Sequence, residues 1–323
     1  MIDLITLVKQ LEDDEVSLIV KSNSLQTNSK AGIVFYDNMD TKNLSQQKGV
    51  FIRIETNYKL KIEGSLHKYR NETSGRERNN FDLFSMSDAK RTIDQLLLEK
   101  QIDENGLMVH SYEIGLNLNV SKDCRAYLDK MKSIGSVGRE KPLWNNPKFK
   151  NERMKVTEFP SSTRKYFKIY DKVFESKDKK RKYIPENNIL RIETVYKRLD
   201  NCSVAEFFSP ANMDKMVETF FRDWRTIQFE QDIITPKGTG RARRHLCLDI
   251  MNKGTDTVLK QAKERHSNGS LSDWEYRNIR EFIINEWDTI KKSIKFIQSD
   301  EEQEFRQLMK VNYTLLKNDE FIS

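Results

Sequence analysis

The stretch VFIRIETNYKLKIEGSLHKY (50–69) alternates apolar and polar side chains, with isoleucine recurring on the apolar side. A period of two is the signature of strands, and GIVFYDN (32–38) carries it upstream, so 31–69 reads as strands. The same pattern recurs in VHSYEIGLNLNV (109–120), RKYFKIYDKVF (164–174) and NILRIETVYKR (188–198). Between them, MSDAKRTIDQLLLEKQ (86–101) reads as a helix opened by a Ser85/Asp88 capping box, and a second helix is expected over 121–133. Residues 135–163 are polar and Pro/Gly-punctuated, in part loop, and SKDKKRKYIPEN (176–187) is a basic loop or hairpin tip.

Beyond residue 203 the pattern turns helical. Ser203/Glu206 and Ser272/Glu275 have cap spacing, and Ser209 precedes a Pro210 suited to a first helical position. Helices are expected after Ser209, over 255–265 and over 272–297. In the last, Trp274, Phe282, Ile283, Trp287, Ile290 and Ile294 form a packing stripe. The expected fold is α+β: a central antiparallel sheet of two related halves, helices on one face, and a helical C-terminal region. The division expected is 1–205 and 206–323. The two halves are suggested by a repeat, since RIETNYK (53–59) returns as RIETVYK (191–197), with SYEIGLN (111–117) a weaker relative. An offset of 138 residues is far too long for a solenoid repeat.

Composition bounds the function. The 323 residues carry 56 Lys+Arg against 49 Asp+Glu, a net charge of +7, and the pI is near 9.0. That is a moderate electrostatic footprint for nucleic acid, equally suited to a merely soluble surface. Seventeen Phe and eleven Tyr supply a core, which excludes a wholly disordered chain. No apolar run approaches the roughly 20 residues of a membrane span, and the acidic start MIDLITLVKQLEDDE is no secretory leader. A soluble, cytoplasmic protein without membrane partners is expected. Cys124, Cys202 and Cys247 form no CxxC pair and read as reduced thiols. The four histidines have no zinc-binding spacing.

Strand periodicity sorts the chemistry onto one face. Arg53, Glu55 and Asn57 lie together in the first copy, Arg191, Glu193 and Lys197 in the second, and Glu113 with Asn117 in the third strand. Tyr166, Lys168, Tyr170 and Lys172 share a face of the fourth. A solvated face of cross-strand Glu/Lys pairs would look the same. A phenol beside lysines and carboxylates also suits phosphoryl transfer: Lys172 would favour the phenolate. Mg²⁺ or Mn²⁺ on Glu113, Glu193 or Glu55 would polarise the phosphate. Arg53, Lys68, Lys168 and Arg191 are candidate phosphate contacts. Arg241, Arg243 and Arg244 in GTGRARRHL are candidates for holding flanking duplex DNA.

The ordered set IETNYKLKIEGSLHKY, SYEIGLN, YFKIYDKVFE and LRIETVYKR resembles the gene II/X family of phage and plasmid replication proteins, and is similar to trans-acting plasmid Rep proteins. The resemblance spans roughly 50–235. Its most specific piece is Tyr170, Lys172 and Glu175 followed by Arg191 and Glu193. It implies a rolling-circle initiator, a nicking and joining DNA endonuclease whose nucleophile is Tyr170, ahead of Tyr166 and Tyr183, with a host helicase as a further partner. A Gly-Asn-His-Asn stretch usual in that family is replaced by NETSGRERNNF (71–81), leaving His67 as the local histidine. The expected product is a 5′-phosphotyrosine link and a free 3′-OH, made without ATP. No GxxxxGK[ST] loop is present. The rival expectations are a relaxase or transposase with the same tyrosine chemistry, a non-catalytic DNA-binding protein on a nuclease-like fold, and a purely structural protein.

Overall fold

The computed structural model describes residues 1–39, 49–136, 139–146, 152–157, 164–199, 201–230 and 232–319. Two compact units divide the chain: 1–229 with 304–323, and 230–303. The expected boundary at 205/206 thus shifts downstream, and the last helix returns to the larger unit.

The larger unit contains β1 (Ile2–Gln10), α1 (Asp13–Ser22), β2 (Gln26–Lys30), β3 (Ile33–Asp37), β4 (Phe51–Glu55), β5 (Lys59–Ser65), α2 (Leu66–Thr73), α3 (Met86–Glu99), β6 (Met108–Asn119) and α4 (Cys124–Lys130). It continues with β7 (Met131–Ile134), β8 (Lys141–Pro142), β9 (Trp144–Asn145), β10 (Met154–Val156), β11 (Lys165–Asp171), α5 (Lys172–Asp178) and β12 (Ile189–Lys197). Helices α6 (Val204–Phe207) and α7 (Pro210–Arg225) and strand β13 (Gln228–Phe229) follow.

Among the described residues ten strands form one antiparallel sheet in the order β2-β3-β4-β5-β1-β6-β12-β11-β10-β9. Strand β1 lies in the middle, although its sequence, IDLITLVKQ, lacks clean alternation. A bulge between Ile2 and Ile5 explains this, since it inserts an extra residue opposite β6.

Apolar residues from one face of the sheet join a single core with Ile93 and Leu96 of α3 and Val217, Phe220 and Trp224 of α7. The Trp224 indole donates to Thr194 Oγ1 on β12 (3.0 Å), and Phe167 of β11 meets its ring edge-on. The other face carries the polar residues.

Several boundaries depart from the sequence reading. LHKY is helical, because Ser65 Oγ accepts the Lys68 backbone N–H and starts α2. Strand β11 stops at Asp171, whose carboxylate caps α5 by accepting the Phe174 N–H at 2.9 Å. Lys172 therefore opens a helix and does not continue the strand face. The two RIET copies occupy different places: β4 is two strands from β1, whereas β12 adjoins β6. The sheet still has two sides about the central β1/β6 pair, but the repeat does not relate equivalent strands.

The smaller unit comprises β14 (Asp232–Ile234), α8 (Arg241–Lys253), α9 (Thr255–Ser267), α10 (Asp273–Glu281), a π-helical turn (Phe282–Glu286), α11 (Trp287–Lys291) and β15 (Lys295–Ile297). Its core gathers Ile233, Cys247, Ile250, Val258, Phe282 and Trp287. The helix expected over 272–297 ends at Lys291, because Lys295–Ile297 pairs with β14. Trp274, placed in the packing stripe, is exposed. Helix α12 (Asp300–Lys317) is the last element among the described residues.

Candidate active site and basic groove

The register of β6, β12 and β11 determines which side chains meet. Tyr170 lies opposite Arg191, which lies opposite Asn117, and Lys168 lies opposite Glu193, beside Gly115. From this row grows a chain of alternating charge: Asp3, Arg191, Glu193, Lys168 and Glu113. Arg191 donates to Asp3 Oδ2 (2.6 Å), Asn117 Oδ1 (2.8 Å) and Glu193 Oε1 (2.5 Å). Lys168 Nζ stands 2.6 Å from Glu193 Oε2 and 3.0 Å from Glu113 Oε2. The Tyr170 hydroxyl donates to Glu193 Oε1 at 2.9 Å.

Gly115 makes this packing possible, since a Cβ there would run into the Arg191 guanidinium. Asp3 also accepts from Ser65 Oγ and from Asn80 Nδ2.

Burial sets the acidities. It pushes the Tyr170 phenol well above 10, and the Glu193 carboxylate adds to the rise. For Glu193 itself burial is outweighed by Lys168 and Arg191, leaving it near 2. Burial and Glu193 together raise Glu113. Burial opposes ionisation of Asp3 as well, but Arg191, Lys68 and the Ser65 hydroxyl hold it far below the usual carboxylate range. Lys172 is lowered by burial and then by Arg191, while its ammonium sits 5.8 Å from the Tyr170 ring centroid and 3.0 Å from Glu175 Oε2.

Beside this cluster a groove of about 680 Å³ runs between α2, α5 and the loop after α5. Eight of its lining side chains are cationic and two, Glu63 and Glu72, are acidic. Lys179, Lys180, Arg181 and Lys182 come from the basic stretch that followed the fourth strand in the sequence. Lys68, Arg76 and Arg78 come from α2 and the turn beyond it, and Lys172 is the eighth cation. Among the described residues, the buried Ser176 Oγ and Asn80 Oδ1 have no hydrogen-bond partner, and both residues line this groove. Burial, then Lys172 and Arg181, bring Lys68 down to about 8.

The expected site residues are only partly gathered. Tyr170, Lys172, Lys168, Glu113, Glu193 and Arg191 come together, and Lys68 joins the groove. Lys168 and Arg191, expected to hold phosphate, instead direct N–H groups to carboxylates and, for Arg191, to the Asn117 amide oxygen. Arg53 pairs with Asp37 (3.0 Å) and stacks on Phe35. His67 is buried against Phe84 and bonded to Asp82 at 2.6 Å, a packing role. Glu55 is on β4, three strands from Glu113, about 14 Å at normal strand spacing. Arg241, Arg243 and Arg244 lie on α8 of the smaller unit, with Arg243 paired to Glu286 at 2.7 Å.

The carboxylates do not suit Mg²⁺ or Mn²⁺ as arranged. An ammonium already bridges Glu113 and Glu193, and Glu55 is out of reach. Among the described residues, no group of three or more His, Cys, Asp or Glu could hold a metal ion.

Sequence reasoning missed Asp3, Gly115, Asn80, Ser176, Arg76 and Arg78, and it left the 179–182 cations out of the site. The run KDKKRK between two strands was the available signal for the last group. The three cysteines are free thiols, as expected, and no helix among the described residues is long and apolar enough to cross a membrane. Compared with known proteins, the chain matches no family model and no curated sequence.

Proposed function

We propose that the protein is a DNA nicking and joining enzyme of the rolling-circle type, working through Tyr170. The observation that carries this reading is the Tyr170–Glu193 hydrogen bond next to the cationic groove. A nucleophile in contact with a base, itself oriented by further groups, is the arrangement covalent catalysis needs. Here Arg191 and Lys168 orient Glu193.

A single strand lies along the groove, its phosphates on the lysines and arginines. Tyr170 Oη attacks one phosphorus, and its proton passes to Glu193 Oε1. Because the phenol is a weak acid here and the Glu193 carboxylate a weak base, this proton leaves only as the P–O bond forms. The bond to the 3′ oxygen breaks, Lys172 supplies that oxygen's proton, and the 5′ phosphate stays on the tyrosine. Reversal by a 3′-OH rejoins the strand without ATP.

Intact-mass measurement after incubation with single-stranded oligonucleotides, with and without Mn²⁺, tests this. A mass gain equal to an oligonucleotide fragment is expected for the native chain and not for Tyr170→Phe. A second reading, a non-catalytic polyanion-binding protein using the same groove, draws on one fact: Tyr170 is only 6% exposed. It predicts salt-sensitive binding and no adduct with any oligonucleotide.

A further inference from the structure

We propose that Lys168 is a built-in counter-cation occupying the position a divalent metal would take between Glu113 and Glu193, so that these glutamates are not metal ligands. The geometry is that of a filled site. Lys168 Nζ lies 2.6 Å from one carboxylate and 3.0 Å from the other, on three adjacent strands whose register sets Lys168 opposite Glu193. All three side chains are less than one-fifth exposed.

The second oxygen of Glu193 is engaged as well. Oε1 accepts from both the Tyr170 hydroxyl and Arg191 Nε. A metal ion would therefore have to displace a buried ammonium and compete with a guanidinium. A divalent ion needs several oxygen ligands, and this pocket offers two carboxylates that are already paired with cations. The chain Asp3–Arg191–Glu193–Lys168–Glu113 alternates −, +, −, +, −, so it carries one net negative charge when all five are ionised. Lys168 stays protonated there because Glu193 and Glu113 outweigh the effect of burial.

The inference concerns cation binding alone, so it stands or falls separately from nicking. The measurement is Mn²⁺ binding to the full-length protein by electron paramagnetic resonance of the free ion, for the native chain and for Glu113→Gln. The expected result is either no stoichiometric Mn²⁺ or binding that Glu113→Gln leaves unchanged. One tightly bound Mn²⁺ that Glu113→Gln abolishes would overturn the proposal.

Lys168→Ala tests it from the other side. Removing a cation in contact with both carboxylates should tighten Mn²⁺ binding by more than about tenfold. An Lys168→Ala protein with native circular dichroism and no such gain would count against the proposal. If that variant fails to fold, the comparison of native chain with Glu113→Gln remains decisive.

Discussion

Gly115 is the smallest residue in the site and among the most constrained. Adding a single methyl would place it against the Arg191 guanidinium and within 3.3 Å of Glu193 Cγ. Gly115→Ala should lose about 1–3 kcal/mol, read as a lower urea midpoint. Arg191→Met strands Asp3 and Glu193 without their shared cation and should cost about 3–5 kcal/mol. Acid should act on the same groups. Glu193 and Glu175 sit near 2 in the fold against an ordinary 4.5. Their contribution to stability is complete above about pH 4.5 and disappears as pH falls toward 2. A urea midpoint measured across that window should drop steeply, and less steeply in Glu175→Gln. Lys68 works in the opposite range. Its ammonium, present below about 8, attracts anions, so oligonucleotide affinity should weaken as pH rises through 8, and Lys68→Met should flatten that profile.

At the level of elements, the two RIET heptapeptides differ at one position, and that position decides their shape. Asn57 lies in a turn: the Tyr58 N–H donates to Glu55 O (2.9 Å), Tyr58 takes a left-handed φ of 59°, and Asn57 Oδ1 accepts the Lys59 N–H. Val195, β-branched, continues β12 for two more residues. Asn57→Val should therefore destabilise the β4–β5 connection by about 1 kcal/mol, visible as faster amide exchange in both strands. The long strands β6, β11 and β12 were legible because their faces are chemically distinct. The caps at Ser85, Ser203 and Ser272 were legible for the same local reason. Strand β1 was not, because its bulge breaks the alternation. Nor was the start of α5, where Asp171 reads as one more polar strand residue until its carboxylate is seen capping Phe174.

Across the whole molecule, the groove should make oligonucleotide binding depend on ionic strength. Each lysine or arginine that contacts a phosphate adds about 0.7 to the slope of log affinity against log salt for a single strand. Lys180→Gln and Lys182→Gln should each lower that slope by such an amount without shifting the thermal midpoint. The site itself was half legible. Strand periodicity put Tyr170, Lys168, Glu193, Arg191 and Glu113 on one face, which the register of the sheet brings into contact. The partners from β1, the turn after α2 and the loop after α5 depend on long-range topology that no local pattern records.

That topology has a consequence for how the chain is made. Asp3 meets Arg191 across 188 positions, so at roughly 5–20 residues per second the ribosome needs about 10–40 s to deliver the second after the first. For that interval the central strand can pair with β5 and then β6, but the charged row has no guanidinium. Phe305, Met309 and Leu316 of α12 join the core later still. A nascent chain halted before β12 would hold Tyr170, Lys168 and Glu113 but neither Arg191 nor Glu193, so the row would lack its centre.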